Sequence, residues 1–177
     1  VTELVFGQMI ALVRHTFEAN RAVKENRWSE YLKFIGTELA EKTLGIIGMG
    51  NIGTRVALRA RAFEMDFFVY DPYIPESHVT ALGGKWVGLD ELLGESDVVT
   101  IHCPLTAETR GMIDERRLAL MKSSAYLINA ARGGIVNESH RVADVSETPA
   151  RVLLEAARKK PTHGGWCGRD VRFVREH

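Results

Sequence analysis

The sequence is poor in the features that mark secreted, membrane-spanning and metal-binding proteins. It has only two cysteines, Cys103 and Cys167, which are too few for a disulfide scaffold and lack metal-ligand spacing. No apolar run reaches the roughly 20 residues of a membrane helix, and no signal peptide is visible. Repeats and low-complexity segments are absent as well. We therefore expect a cytoplasmic protein with no membrane association and no metal.

The sequence also lacks an excess of charge of either sign. Lys+Arg and Asp+Glu both number 23, so the formal net charge is zero, which gives no electrostatic case for binding nucleic acid. A hydrophobic content of 45% in 177 residues is ordinary for one sizeable globular domain. The chain begins at Val1 and enters an amphipathic helix at once, so we expect an internal fragment of a longer protein.

Short apolar, β-branched segments alternate with helical patterns along most of the chain. This alternation predicts an α/β fold, with a doubly wound parallel sheet covered by helices on both faces and truncated at its end. The predicted strands are 43–48, 66–71, 85–87, 97–103 and 125–130. The predicted helices are 1–24, 51–64, 75–84, 89–96, 114–122 with Asp114 as its cap, and 148–161 with Thr148 as its cap.

The most informative motif is GMGNIG, in which Gly48, Gly50 and Gly53 follow a predicted strand and open a predicted helix. The first glycine permits a tight turn, the second lets a pyrophosphate approach the backbone, and the third lets helix and strand pack closely. The amides of Asn51 and Ile52 would point at the phosphates from the helix N-terminus. The motif indicates a Rossmann-type dinucleotide site.

An acidic residue is expected about 20 positions after this motif, and Asp71 ends the next predicted strand there. Its carboxylate would hydrogen-bond the ribose hydroxyls of NAD and repel a 2′-phosphate. Pro72 and Tyr73 follow it and offer no arginine to receive such a phosphate. The predicted cofactor is therefore NAD rather than NADP. The competing interpretation is a simple glycine turn beside an aspartate that caps a strand.

Two further strand ends carry candidate residues, because ligands of doubly wound sheets lie beyond the carboxyl ends of the strands. Cys103 and Pro104 end the fourth strand and are expected to contact the adenosine. His102 could take part in the chemistry, whereas a nucleophilic Cys103 is disfavoured because no base is adjacent. Arg132 follows the fifth strand and could hold a carboxylate by two hydrogen bonds or form a structural ion pair.

The segments TLGIIGMGNIG, VYDPY, LDELLGESDVVTIHCPLTAETRGMI and LINAARGGIVNE resemble the NAD-binding domain of the D-isomer-specific 2-hydroxyacid dehydrogenases, closest to the phosphoglycerate dehydrogenase-like branch. The resemblance runs from the first helix to about Glu138. One departure is Glu64, where the family commonly has glycine.

This resemblance implies hydride transfer between NAD and C2 of a D-2-hydroxy or 2-keto acid. It implies that Arg132 binds the substrate carboxylate and that Ala130, Ala131 and Arg132 line the nicotinamide end. It also implies a homodimer formed through this domain, to which the first helix contributes. Related co-repressors suggest an alternative, a non-catalytic module for NAD binding and dimerisation.

The resemblance weakens after Glu138, so we divide the chain into a Rossmann domain, residues 1–138, and a divergent or frameshifted tail, residues 139–177. Within the tail, DVRFVRE resembles the family pattern D-V-F-x-x-E with one residue inserted. In that alignment Asp170 corresponds to an aspartate at the nicotinamide and Glu176 to the catalytic glutamate. No histidine matches the family's acid-base residue, so we expect weak activity or none from the isolated chain.

Overall fold

A computed structural model describes residues 1–137 of the chain, together with the backbone of 151–154 and 172–173. Helices and strands alternate after the N-terminal helices, as the sequence predicts. The helices are α1 (Thr2–Val13), α2 (Thr16–Lys24), α3 (Asn51–Ala62), α4 (Glu76–Thr80), α5 (Leu89–Glu95) and α6 (Glu115–Leu118), with a 3-10 helix at Trp28–Phe34. The strands are β1 (Thr43–Ile47), β2 (Asp66–Tyr70), β3 (Lys85–Trp86), β4 (Val98–Ile101), β5 (Tyr126–Asn129), β6 (Arg151–Leu154) and β7 (Arg172–Phe173).

The strands form one sheet in the order β3-β2-β1-β4-β5-β6-β7. Strands β1 to β6 are parallel, and β7 runs antiparallel to β6. The order reverses between β1 and β4, where a doubly wound sheet opens a crevice at its carboxyl edge. The α/β doubly wound fold predicted from the sequence is confirmed.

Two apolar clusters bury the two faces of the sheet. One joins α1 and α3 to side chains such as Leu44 and Ile128, and the other joins α5 to side chains such as Ile101 and Leu127. The central strands are buried on both sides, which explains why their sequences are continuously apolar rather than alternating. No helix among the described residues is both long and apolar enough to cross a membrane.

The first predicted helix is in fact two helices, which corrects the prediction of a single helix over 1–24. The chain breaks at His15, whose φ of +50° is left-handed. Thr37 donates its amide to the Val13 carbonyl at 2.8 Å, and the neighbouring Gly36 lies so close that a Cβ there would overlap that carbonyl. A distant segment thus satisfies the carbonyl group of the last residue of α1.

The predicted helix over 148–161 is wrong at residues 151–154, which form strand β6 beside β5. Pairing with an open sheet edge has overridden the local helix signals of Thr148 and Pro149.

The cap predicted at Asp114 is confirmed, because its Oδ1 accepts the Arg117 amide at 2.9 Å.

Candidate cofactor and substrate site

The candidate residues stand in a row along the carboxyl edge of the sheet. The strand register aligns Tyr70, Ile47, Ile101 and Asn129 on neighbouring strands. The next residue on each strand is therefore Asp71, Gly48, His102 or Ala130. Parallel strands thus bring together, at one edge of the sheet, positions that are far apart in sequence.

The phosphate loop after β1 depends on Gly48. Its φ of +93° is left-handed, a conformation that favours glycine. A Cβ at Gly48 would lie 2.7 Å from the Cys103 nitrogen, so the loop also packs directly against the end of β4. The Gly48 amide donates to the Tyr70 carbonyl at 2.9 Å, which ties the loop to β2.

The other two glycines of the motif have opposite surroundings. Gly53 is buried in α3, and a Cβ there would overlap the Gly48 carbonyl oxygen. Gly50 is exposed at the N-cap of α3, and a Cβ there would meet nothing within 4 Å. No side chain caps this 12-residue helix, so the amides at Asn51 and Ile52 can face a bound anion. The open space above Gly50 fits a pyrophosphate.

The Asp71 carboxylate is fixed by two backbone amides. Oδ2 accepts the Met49 amide at 2.8 Å, and Oδ1 accepts the Tyr73 amide at 2.9 Å. Trp86 supports the same residue by donating its indole N–H to the Asp71 carbonyl at 3.1 Å. Asp71 therefore shapes the phosphate loop and places a carboxylate beside it, and each oxygen retains a second lone pair for a ribose hydroxyl.

The segment after β4 contributes backbone and apolar surface. The His102 amide donates to the Ile47 carbonyl at 2.7 Å, which holds this segment against the phosphate loop. Burial lowers the pKa of the His102 side chain to about 4, and its Nε2 lies 3.0 Å from the Thr100 hydroxyl. A neutral, buried imidazole is a poor proton donor near neutral pH, which disfavours chemistry at His102.

Cys103 and Pro104 lie at the same strand end. Burial raises the pKa of the Cys103 thiol, so the thiolate that a nucleophile needs is scarce. Pro104 is exposed, and its carbonyl accepts the Thr109 hydroxyl at 2.7 Å, which fixes the turn that follows. The pair can line an adenosine with small, apolar groups.

The loop after β5 is held by a residue that sequence reasoning missed. Asn129 is 1% exposed; its amide nitrogen donates to the Arg132 carbonyl at 2.9 Å, and its Oδ1 accepts the Ala131 amide at 3.1 Å. One buried side chain thus clamps both ends of the Ala131–Arg132 turn. The sequence does contain a signal for this role, because Asn129 is a single polar residue at the end of the apolar strand YLIN, and a buried polar side chain needs hydrogen-bond partners.

Arg132 itself is exposed, and its guanidinium donates to the Ala131 carbonyl at 2.8 Å. Arg132 forms no ion pair with any of residues 1–137. The alternative role suggested by the sequence, a structural ion pair, therefore finds no acidic partner in that range. As far as residues 1–137 are concerned, the side chain can turn toward a carboxylate without breaking a salt bridge. Asp170 and Glu176, the other predicted site residues, lie outside the described residues.

Comparison with known proteins agrees with this geometry. The sequence model described as "D-isomer specific 2-hydroxyacid dehydrogenase, NAD binding domain" matches residues 6–153. A D-3-phosphoglycerate dehydrogenase of Synechocystis is 45% identical over 136 residues, which are 77% of this chain and 24% of that protein. The chain thus spans about a quarter of the length of this curated relative.

Solved structures give the same result. The D-lactate dehydrogenase from Aquifex aeolicus, complexed with NAD and lactic acid, superposes with a TM-score of 0.81 at 36% identity, covering 88% of this chain and 46% of that one. An acyclic imino acid reductase in complex with NADPH and D-Arg superposes with a TM-score of 0.75 at 30% identity, covering 84% and 47%. Proteins of this fold have therefore been solved with both nicotinamide cofactors.

Proposed function

Since this chain belongs to the D-isomer-specific 2-hydroxyacid dehydrogenase family and matches its NAD-binding domain, we propose that it supplies the cofactor half of an NAD-dependent oxidoreductase. The reaction is hydride transfer between NAD and C2 of a D-2-hydroxy acid of the phosphoglycerate type. The observation that carries the proposal is Asp71, whose carboxylate holds the Met49 amide beside the open space above Gly50. Bound there, NAD would supply the hydride acceptor.

Arg132 has the features of a substrate-binding residue. It is exposed, lies at the end of β5, and is held by the Asn129 clamp with its guanidinium unpaired by any carboxylate of residues 1–137. A guanidinium grips a carboxylate by two parallel hydrogen bonds. Ala130 and Ala131 beside it are small enough to admit a flat nicotinamide ring.

We expect turnover by the purified chain to be slow or undetectable, because no histidine of the sequence matches the family's acid-base residue. NADH formation from D-3-phosphoglycerate and other D-2-hydroxy acids measures it. Any activity should fall about 100-fold in Arg132→Ala, the equivalent of ~3 kcal/mol for a charge-assisted pair. Arg59→Ala, at the exposed far end of α3, is the matched control. Turnover that survives in Arg132→Ala would contradict the role of Arg132.

The second candidate is a non-catalytic module for NAD binding and dimerisation. It is favoured by the exposed apolar side chains of residues 1–35, among which Trp28, Tyr31, Leu32 and Ile35 are each more than 60% exposed. Apolar exposure on this scale is typical of a protein interface. Steady turnover that disappears in Arg132→Ala would reject this candidate, whereas NADH binding without turnover would support it.

We also propose that the chain forms a homodimer through this N-terminal surface. Sedimentation analysis should give twice the chain mass of 19.8 kDa. Leu32→Asp should shift the chain to monomer, because it places a charge in the buried part of the interface. Leu32 is 61% exposed within one chain, so folding should be unaffected. A wild-type chain that sediments as a monomer at high concentration would rule the dimer out.

The proposed partners of the chain are NAD, a small 2-hydroxy or 2-keto acid and a second copy of the chain. The proposed location is the cytoplasm. Two cysteines fit a reducing compartment, and the one described, Cys103, is a free thiol.

A further inference from the structure

A hydrogen bond joins the segment that follows β2 to the segment that follows β4, at the carboxyl edge of the sheet. The Tyr73 hydroxyl donates to Glu108 Oε2 at 2.7 Å. Tyr73 follows β2 and Glu108 follows β4, and these strands flank β1 on its two sides. The bond therefore joins the two walls of the crevice in which the proposed cofactor site lies.

Tyr73 links two carboxylates. Its amide donates to Asp71 at 2.9 Å, while its hydroxyl donates to Glu108. The pKa of the Tyr73 phenol is raised, chiefly by its hydrogen bond to Glu108. The negative charges of Glu108 and Asp71 add to this rise. Tyr73 therefore contacts both carboxylates, Asp71 through its amide and Glu108 through its hydroxyl.

The turn that carries Glu108 has hydrogen bonds of its own. It lies in a turn in which the Thr106 amide donates to the Thr109 hydroxyl at 2.8 Å and that hydroxyl donates to the Pro104 carbonyl at 2.7 Å. Among residues 1–137, no lysine, arginine or histidine forms an ion pair with Glu108. Within that part of the chain, the Glu108 carboxylate is bonded to a neutral phenol and makes no salt bridge.

We propose that Glu108, held in place by Tyr73, is a second determinant of selectivity for NAD over NADP, in addition to Asp71. The inference rests on the proposed cofactor site. NADP differs from NAD by a 2′-phosphate with a charge of roughly −1.5 to −2, and a second fixed carboxylate repels it further. The same fold holds NADPH in the imino acid reductase, so the fold alone does not reject the 2′-phosphate.

Titration of the full chain with NADH and with NADPH tests the proposal. Glu108→Gln keeps an acceptor for the Tyr73 hydroxyl but removes the charge, so NADPH affinity should rise about tenfold while NADH affinity changes less than twofold. Tyr73→Phe keeps the ring but frees Glu108 to turn into solvent, and NADPH affinity should rise about threefold. Glu95→Gln is the matched control, because it removes the same charge from an exposed site at the opposite edge of the sheet.

The outcomes are distinct. Unchanged NADPH affinity in Glu108→Gln, with NADH still bound, would overturn the selectivity role of Glu108 alone. An effect of Glu108→Gln without any effect of Tyr73→Phe would overturn the positioning role of Tyr73. A wild-type chain that binds neither nucleotide would overturn the cofactor site itself, and this inference with it.

Discussion

Gly53→Ala should destabilise the chain by about 3 kcal/mol, because the added methyl group would overlap the Gly48 carbonyl oxygen. The atom that the new methyl group meets belongs to the backbone of Gly48, so no flexible side chain can move aside. Thermal unfolding followed by circular dichroism measures the loss. NADH binding should disappear together with stability, since the same contact sets the shape of the phosphate loop.

Gly50→Ala is the matched control for that result. A Cβ at Gly50 meets nothing within 4 Å, and its φ of −71° suits alanine, so the midpoint of unfolding should fall only by the small cost of alanine at an N-cap, much less than in Gly53→Ala. NADH affinity should nevertheless fall at least about tenfold, because the methyl group occupies the space that a pyrophosphate needs. If Gly50→Ala bound NADH as tightly as the wild-type chain, the phosphates would have to lie elsewhere.

Asp71→Ala should raise the Kd for NADH about 30-fold, the equivalent of ~2 kcal/mol or roughly one hydrogen bond between a charged group and a ribose hydroxyl. It should also destabilise the fold by ~2 kcal/mol, because the buried Met49 amide loses its acceptor. Calorimetric titration and thermal unfolding report the two effects separately. NADPH affinity should fall less than NADH affinity, since the substitution also removes a charge that repels the 2′-phosphate.

Asp66→Ala provides the control, because Asp66 is exposed at the amino end of the same strand, β2, far from the phosphate loop. It should change neither Kd nor stability appreciably. If the Asp71→Ala and Asp66→Ala variants bound NADH with the same affinity, Asp71 would have no role in binding the cofactor.

The residues at the carboxyl edge could be predicted because their positions follow from simple patterns. Buried parallel strands are continuous apolar segments, so the ends of β1, β2, β4 and β5 were located within about two residues. The glycine spacing and Asp71 then follow from the needs of a dinucleotide. These signals are local in sequence and therefore visible without a structure.

Other features depend on contacts between distant segments. The break at His15 follows a contact of Val13 with Gly36 and Thr37, and the bond from Tyr73 to Glu108 spans 35 positions. Neither contact has a local signal. Glu64 illustrates the reverse case: it departs from the glycine common in the family, yet it keeps the left-handed conformation, with φ +58°, that glycine would adopt at the end of α3.

Binding of NADH to the purified 177-residue chain tests the central claim most directly. Saturable binding of one NADH per chain is predicted, with a higher midpoint of thermal unfolding. At roughly 1 mM NADH and a Kd of about 10 µM, the stabilisation would be ~2.7 kcal/mol. A folded chain that shows neither binding heat nor a shift of the midpoint at that concentration would contradict the assignment of a cofactor site to Gly50 and Asp71.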